Sequence, residues 1–225
     1  MNLIQKSGQM GSIPGGWYED KDTGAEYYVK FYKYESTAKG EFLANEFYKK
    51  LNIYVPEKSL IVFEDRPAIT SKKVGDGVRA TFDEQVGHPD LVKGFAADAF
   101  LNNWDVVGEF FDNVIKDDNS HLYRVDNGGT GPIRANEGRK NFSKDSIPEI
   151  DDMRNPKFQA GMIFKDVSEK QIMEQSAQLL NVLTNEYITE TISGLKFEPE
   201  LEKVLIEGYL GRKAFLASKY VKMKK

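Results

Sequence analysis

The stretch Asn102-Asn103-Trp104-Asp105-Val106-Val107-Gly108-Glu109-Phe110-Phe111-Asp112-Asn113, with the Val114-Ile115-Lys116 and His121-Leu122-Tyr123-Arg124-Val125-Asp126 that follow it, decides how the chain is read. Residues 113–116 and 121–125 flank Asp117-Asp118-Asn119-Ser120, and short β-forming runs around such a turn predict a hairpin. A hairpin returns its ends to one place, so Asn113 and Asp126 are expected side by side. Both carry hard oxygen donors of the kind magnesium takes. Asp105 follows an apolar segment, residues 90–103, in which Phe95, Ala96, Ala99 and Phe100 recur at helical spacing. A carboxylate at that point is a candidate to orient or deprotonate a hydroxyl, with Asp112 as a rival for part of the role. Asp and Asn are common at turns and caps for local reasons, so the order of the residues carries more than any one of them. His121, inside the hairpin, reads as structural.

Upstream, residues 3–10, 17–20 and 26–32 read as a three-strand meander, interrupted by Gly11-Ser12-Ile13-Pro14-Gly15-Gly16 and by the turn Asp22-Thr23-Gly24. Gly11, Ser12, Gly15 and Gly16 would let backbone N–H groups approach a phosphate, although a glycine cluster between strands is more often a plain turn. Lys30 lies within the apolar run Tyr27-Tyr28-Val29-Lys30-Phe31. A lysine buried there needs a carboxylate, and the next helix, from Ser36 to about Asn52 with Leu43, Phe47 and Leu51 on one side, offers Glu41 and Glu46. Pro56 follows as a stop signal, and residues 60–63 and 68–71 suggest two more strands around Glu64-Asp65-Arg66.

Residues 76–89 are polar and rich in turn formers, which predicts a hinge between an N-lobe over 1–75 and a C-lobe over 90–225. Residues 128–145 read as loop, in which Arg134, Arg139 and Lys140 could take a phosphate or an acidic substrate or simply face water. From residue 166 onward the pattern is helical, with Ile172, Leu179, Leu180, Leu183, Val204, Leu205, Tyr209 and Phe215 as apolar faces. Trp17 and Trp104 are assigned to core or lobe packing. Strands first and helices after predict an α+β fold of two lobes, one small and strand-rich, the other mainly helical.

Composition removes whole classes of chemistry. With no cysteine in 225 residues, disulfides, thiolate zinc sites and cysteine nucleophiles are excluded. His88 and His121, the two histidines, are too far apart for a histidine metal site or a recognisable triad. A net charge of −4 gives no general attraction to nucleic acid. No run is long and apolar enough to span a membrane, and residues 1–10 lack a secretory signal. Synthesis in the cytoplasm is expected; delivery into another cell as an effector would leave no such mark.

The succession of glycine loop, strand lysine, helix glutamate, Asp, Asn, hairpin and Asp resembles the protein-kinase-like superfamily, and within it atypical bacterial kinases of the HipA-like and phosphoinositide-kinase-like groups. The 13-residue interval from Asn113 to Asp126 resembles the kinase spacing of these ligands. Gly-Gly-Trp-Tyr-Glu-Asp, Tyr-Val-Lys-Phe, Glu-Phe-Leu-Ala-Asn and Asn-Trp-Asp-Val-Val-Gly resemble stretches of small bacterial and phage proteins. The likeness covers about residues 8–130.

By that resemblance ATP and Mg2+ are the expected cofactors. Lys30 would contact phosphates, Glu41 rather than Glu46 would pair with it, Asp105 would be catalytic, and Asn113 and Asp126 would hold the metal. A serine or threonine of a protein would be the acceptor. The chain departs from the pattern as well. Asn103-Trp104 replaces His-Arg, eight positions instead of about five separate Asp105 from Asn113, Asn127-Gly128-Gly129 replaces Phe-Gly, and no Ala-Pro-Glu follows. These departures leave AMP transfer, phosphorylation of a small molecule, and a non-catalytic nucleotide-binding pseudokinase as alternatives.

Overall fold

Period-two alternation builds the first half. In the computed structural model, which describes residues 1–10, 13–134 and 138–221, the strands β1 (Leu3–Ser7), β2 (Gly15–Asp20), β3 (Glu26–Phe31), β4 (Lys58–Phe63) and β5 (Arg66–Lys72) form one antiparallel sheet in the order β1-β2-β3-β5-β4. Helix α1 (Glu35–Lys50) leaves the sheet after β3 and returns to it at β4. The β4–β5 turn holds Glu64 and Asp65 at φ of 52° and 58°, the left-handed pair that matches the twist of a two-residue hairpin.

On one side of the sheet, Tyr18, Val29, Phe31 and Ala68 form a small apolar cluster. A second cluster contains Tyr32 and Ile69 with Ala38 of α1. The rest of α1 belongs elsewhere. Leu43, Ala44, Phe47, Tyr48 and Leu51 join the main core with residues of the C-terminal helices, and Phe47 meets Tyr209 edge-on at 5.4 Å.

The second half begins with β6 (Val78–Arg79) and α2 (Phe82–Gln85), so the segment expected as a hinge carries structure of its own. Strand β6 pairs with the hairpin β7 (Val114–Lys116) and β8 (Leu122–Arg124) in the order β6-β7-β8. The helix expected over residues 90–103 is two short ones, α3 (Pro89–Val92) and α4 (Phe95–Phe100). The break falls at Gly94, where the fully buried Arg124 guanidinium presses so close that a Cβ would stand 2.5 Å from Nη2.

Arg124 grips Asp98 through Nε and Nη2, both at 2.7 Å, and donates to the carbonyls of Asp90 and Leu91. Beyond the loop, α5 (Glu149–Asp152), α6 (Gln159–Phe164), α7 (Glu169–Val182), α8 (Asn185–Gly194) and α9 (Pro199–Leu216) complete the fold, the last continuing as a π-helical turn, Ala217–Val221. Ser168 and Gln171 close a capping box at the start of α7. Val204, expected on an apolar face, is 47% exposed. No described helix is long and apolar enough to cross a membrane.

Candidate functional site

The site is assembled where β3, α1, β4 and the β7–β8 hairpin meet. Lys30 projects from β3, and its Nζ stands 3.0 Å from Asp126 Oδ1 and 3.5 Å from Glu41 Oε2. Glu46 is not part of this group and pairs with Lys49 on the helix surface. Glu41 is fully buried and is held on every side. Its Oε1 accepts from the ammonium of Lys58, and its Oε2 accepts from the Tyr32 hydroxyl. Lys58 also donates to the carbonyl of Val125 at 2.9 Å, which ties β4 to the residue before Asp126.

Two ammonium groups thus share one carboxylate. Burial alone would raise the Glu41 pKa, but the charges of Lys30 and Lys58 overcome it and bring the pKa down to about 2. For Lys30, burial opposes the charge and the Asp126 and Glu41 carboxylates restore it, leaving its pKa above the usual lysine value.

The hairpin register delivers the expected juxtaposition. Val125 N–H donates to Asn113 carbonyl oxygen at 3.1 Å, so Asn113 and Asp126 stand at neighbouring ends of the ladder. The Asn113 side-chain amide donates to the backbone carbonyl of Asp105 at 2.9 Å, and its Oδ1 accepts no hydrogen bond among the described residues. One carboxylate and one amide oxygen make no closed protein cage, and no group of three acidic or histidine side chains suited to a metal exists among the described residues. That donor set fits magnesium, which takes one or two protein oxygens and completes its shell with phosphates and water.

Asn113, Asp126 and Lys30 line one cleft together with Trp17, Tyr28, Val74, Ile115 and Val125, and Lys72, Lys73, Arg79 and Asp112 also border it, so its wall mixes apolar and charged side chains. Asp105 is close enough to Asp126 of this cleft, and to Lys140 of a second cavity of about 400 Å³, for both charges to act on it; the walls of that cavity also include its neighbour Trp104, Glu149, Asp152 and Phe158. Burial, reinforced by the nearby Asp126 and Asp112 carboxylates and opposed by Lys140, pushes the Asp105 carboxyl up to about 6. Asp112 itself faces Arg79 at 3.5 Å.

Three expectations change. Gly15 and Gly16 lie within β2, paired with Lys30 and Val29, and not in a loop. A Cβ at either would fall 2.3 Å from Val29 oxygen or 2.5 Å from Ser7 oxygen, so close strand contact accounts for both glycines. Gly11 and Ser12 lie outside the described residues. Trp104, assigned to packing, is 50% exposed at the mouth of the second cavity, and Trp17, partly exposed, lines the first.

Lys58, Tyr32 and Tyr48 went unnoticed in the sequence. The signal for Lys58 was a lysine opening an apolar strand directly after Pro56 and Glu57. Tyr48 gave none, because its hydroxyl partners, Asp98 at 2.8 Å and Asn103 at 3.0 Å, lie far along the chain.

No protein-family model and no curated protein sequence matches the chain. Among solved structures, the crystal structure of a Helicobacter pylori proinflammatory kinase, CtkA, is similar with a TM-score of 0.63 at 12% identity, over 99% of this chain and 97% of that one. The likeness is one of fold. An antiparallel strand-rich N-terminal part and a helical C-terminal part give this chain a kinase-like architecture, and the narrower HipA-like resemblance is not distinguished by it.

Proposed function

We propose that this chain is an ATP- and Mg2+-dependent phosphotransferase that moves the γ-phosphoryl group of ATP to a hydroxyl, the side chain of a serine or threonine in a protein. The observation that carries the reading is Lys30 bridging Glu41 and Asp126 inside a cleft that also holds Asn113. A buried lysine oriented by a glutamate, beside a carboxylate and an amide oxygen, is the equipment phosphate and magnesium require. The kinase-like fold supports it.

In this reading the apolar side chains of the cleft take the base, and Lys30 neutralises phosphate charge while Glu41 fixes its direction. Magnesium, when bound, would supply a positive charge shared by the phosphates, held by Asn113 Oδ1 and the Asp126 carboxylate. The acceptor enters from the cavity beside Trp104, and Asp105 orients its hydroxyl. The hydroxyl oxygen forms a bond to the γ phosphorus while the bond to the β–γ bridging oxygen breaks. ADP leaves with that electron pair, and the hydroxyl proton passes to the Asp105 carboxylate.

The test is incubation of the protein with γ-labelled or α-labelled ATP, magnesium and a cell lysate, beside Asp105→Asn and Asp126→Asn. Label arriving from the γ position only, and lost in both variants, is expected. Label from the α position would favour AMP transfer, and equal labelling by all three proteins would sink the proposal.

A further inference from the structure

Lys140 is a charged group beside Asp105 that the mechanism above leaves without a task. Its ammonium donates to the backbone carbonyls of Asn102 and Gly129, the first shortly before Asp105 and the second shortly after Asp126. It therefore sits between the segment that carries the base and the segment that carries a metal ligand. The Trp104 ring centre lies 5.9 Å from its Nζ, and the side chain lines the cavity through which an acceptor would come.

Among the described residues no carboxylate forms an ion pair with Lys140. Glu149, on the same cavity, is committed to Arg212 at 2.7 Å. Carbonyl dipoles hold an ammonium in place but supply no counter-charge, which leaves a partly buried cation short of an anion. An ammonium has three N–H donors, and the two carbonyls use two of them.

We infer that Lys140 is a further catalytic residue of the phosphotransferase reading on which this inference rests: its remaining N–H donates to a non-bridging oxygen of the phosphoryl group during transfer. The two carbonyls fix the donor beforehand, and the arriving phosphoryl group is the directly paired anion that the nearby Glu149 and Asp105 do not supply. Lys140 exchanges no proton in the step; the hydroxyl proton still goes to Asp105 and the electron pair of the broken P–O bond to ADP.

The electrostatics agree with a cation awaiting an anion. Burial first, then the positive charges of Arg212 and Arg134, bring the Lys140 ammonium down to about 7, against the pull of Glu149 and Asp105. An ammonium needed in its charged form with such a pKa makes transfer fall as pH rises through that value. Arginine at this position stays charged throughout.

The experiment compares wild type, Lys140→Met and Lys140→Arg. The probes are γ-labelled ATP with a pool of serine- and threonine-containing peptides, assayed from pH 6 to about 9, and magnesium–ATP titrated calorimetrically. Lys140→Met is expected to lower kcat by about a hundredfold, the usual scale for one lost transition-state donor, with magnesium–ATP affinity held within about threefold. Lys140→Arg is expected to keep much of the rate and to lose the alkaline fall. A purely structural tether would leave the alkaline limb where it stands in every folded variant, and that result overturns the inference, as does a Lys140→Met rate close to wild type. If Lys140→Met does not fold, the alkaline limb of Lys140→Arg decides alone. A wild-type protein that binds magnesium–ATP and transfers nothing overturns the phosphotransferase reading and this inference together, whereas an active wild type with an indifferent Lys140 overturns this inference only.

Discussion

At the scale of single residues, Glu41 is the node on which most depends. It is fully buried, with Lys30, Lys58 and Tyr32 as partners, so removing its charge leaves the buried Lys58 ammonium with no paired carboxylate and Lys30 with Asp126 alone. Breaking a buried ion pair from one side costs about 3–5 kcal/mol. Glu41→Gln is therefore expected to lower Tm by on the order of 10 °C, measured by thermal melting at neutral pH; an unchanged Tm would contradict the geometry.

The same node sets a pH dependence. The folded-state pKa of Glu41 lies near 2 against an ordinary 4.5, so it is depressed. A depressed carboxyl contributes stability that is fully present above its unfolded value and is lost as pH falls through the folded one. Urea midpoints of the wild type should fall between about pH 4.5 and 2, and those of Glu41→Gln should fall less over the same window. Lys30 and its need of a carboxylate were legible because a cation inside an apolar strand has few other ways to be satisfied. Lys58 was not, since a lysine at the start of a strand is usually solvated, and only the fold reveals that this one points inward.

At the scale of elements, the β7–β8 hairpin could be read in advance because local turn chemistry and β-forming runs fix it without help from distant residues. The split between α3 and α4 could not. Helical periodicity runs through residues 90–103, and the cause of the break, Arg124, arrives from the hairpin. Gly94 makes this testable, because two effects on it have opposite signs. Its backbone is right-handed, at φ −97°, so alanine is permitted conformationally and would be favoured by about 1 kcal/mol in a helix interior.

Against that, the new Cβ would meet Arg124 Nη2 at 2.5 Å and Cζ at 2.8 Å, and the guanidinium is pinned by Asp98 and two carbonyls. Overpacking against a group that cannot retreat costs about 1–3 kcal/mol, so Gly94→Ala is expected to destabilise; a more stable variant in urea denaturation would show the guanidinium free to move. Tyr48→Phe probes the same junction from α1. It deprives Asp98 and Asn103 of a buried partner, a loss of about 1–3 kcal/mol, and because Asn103 is two residues from Asp105 it should lower transfer more than magnesium–ATP affinity.

At the scale of the whole molecule, the N-terminal half is not one mechanical unit. The sheet has one small cluster of its own and shares a second with Ala38 and Phe42 of α1, while the rest of α1 is built into the core of the C-terminal helices through Leu43, Phe47 and Tyr48. Further ties hold α1 to that side: Lys39 donates to the Lys196 carbonyl at 2.8 Å, and the Thr130 hydroxyl to the Gly40 carbonyl at 3.3 Å. Glu41 is consequently held against the hairpin side by α1, while its ion pairs with Lys30 and Lys58 link it to the sheet. The cleft between them measures about 150 Å³, below the roughly 300–1,000 Å³ of pockets that take small molecules and cofactors.

In the phosphotransferase reading a nucleotide is therefore expected to widen the cleft by moving the sheet and loosening those links, with the turn at residues 74–77, where Gly75 and Gly77 have φ of 47° and 73°, absorbing the rotation. Hydrogen exchange with and without magnesium–ATP checks this. Amides of β1, β2 and residues 73–77 should change their exchange, while those of α1 between Glu41 and Tyr48 should not, because that stretch is built into the core of the C-terminal helices. Exchange in α1 altering in step with the sheet would mean that helix and sheet move together, and Glu41 would then be a moving part of the site instead of its fixed reference.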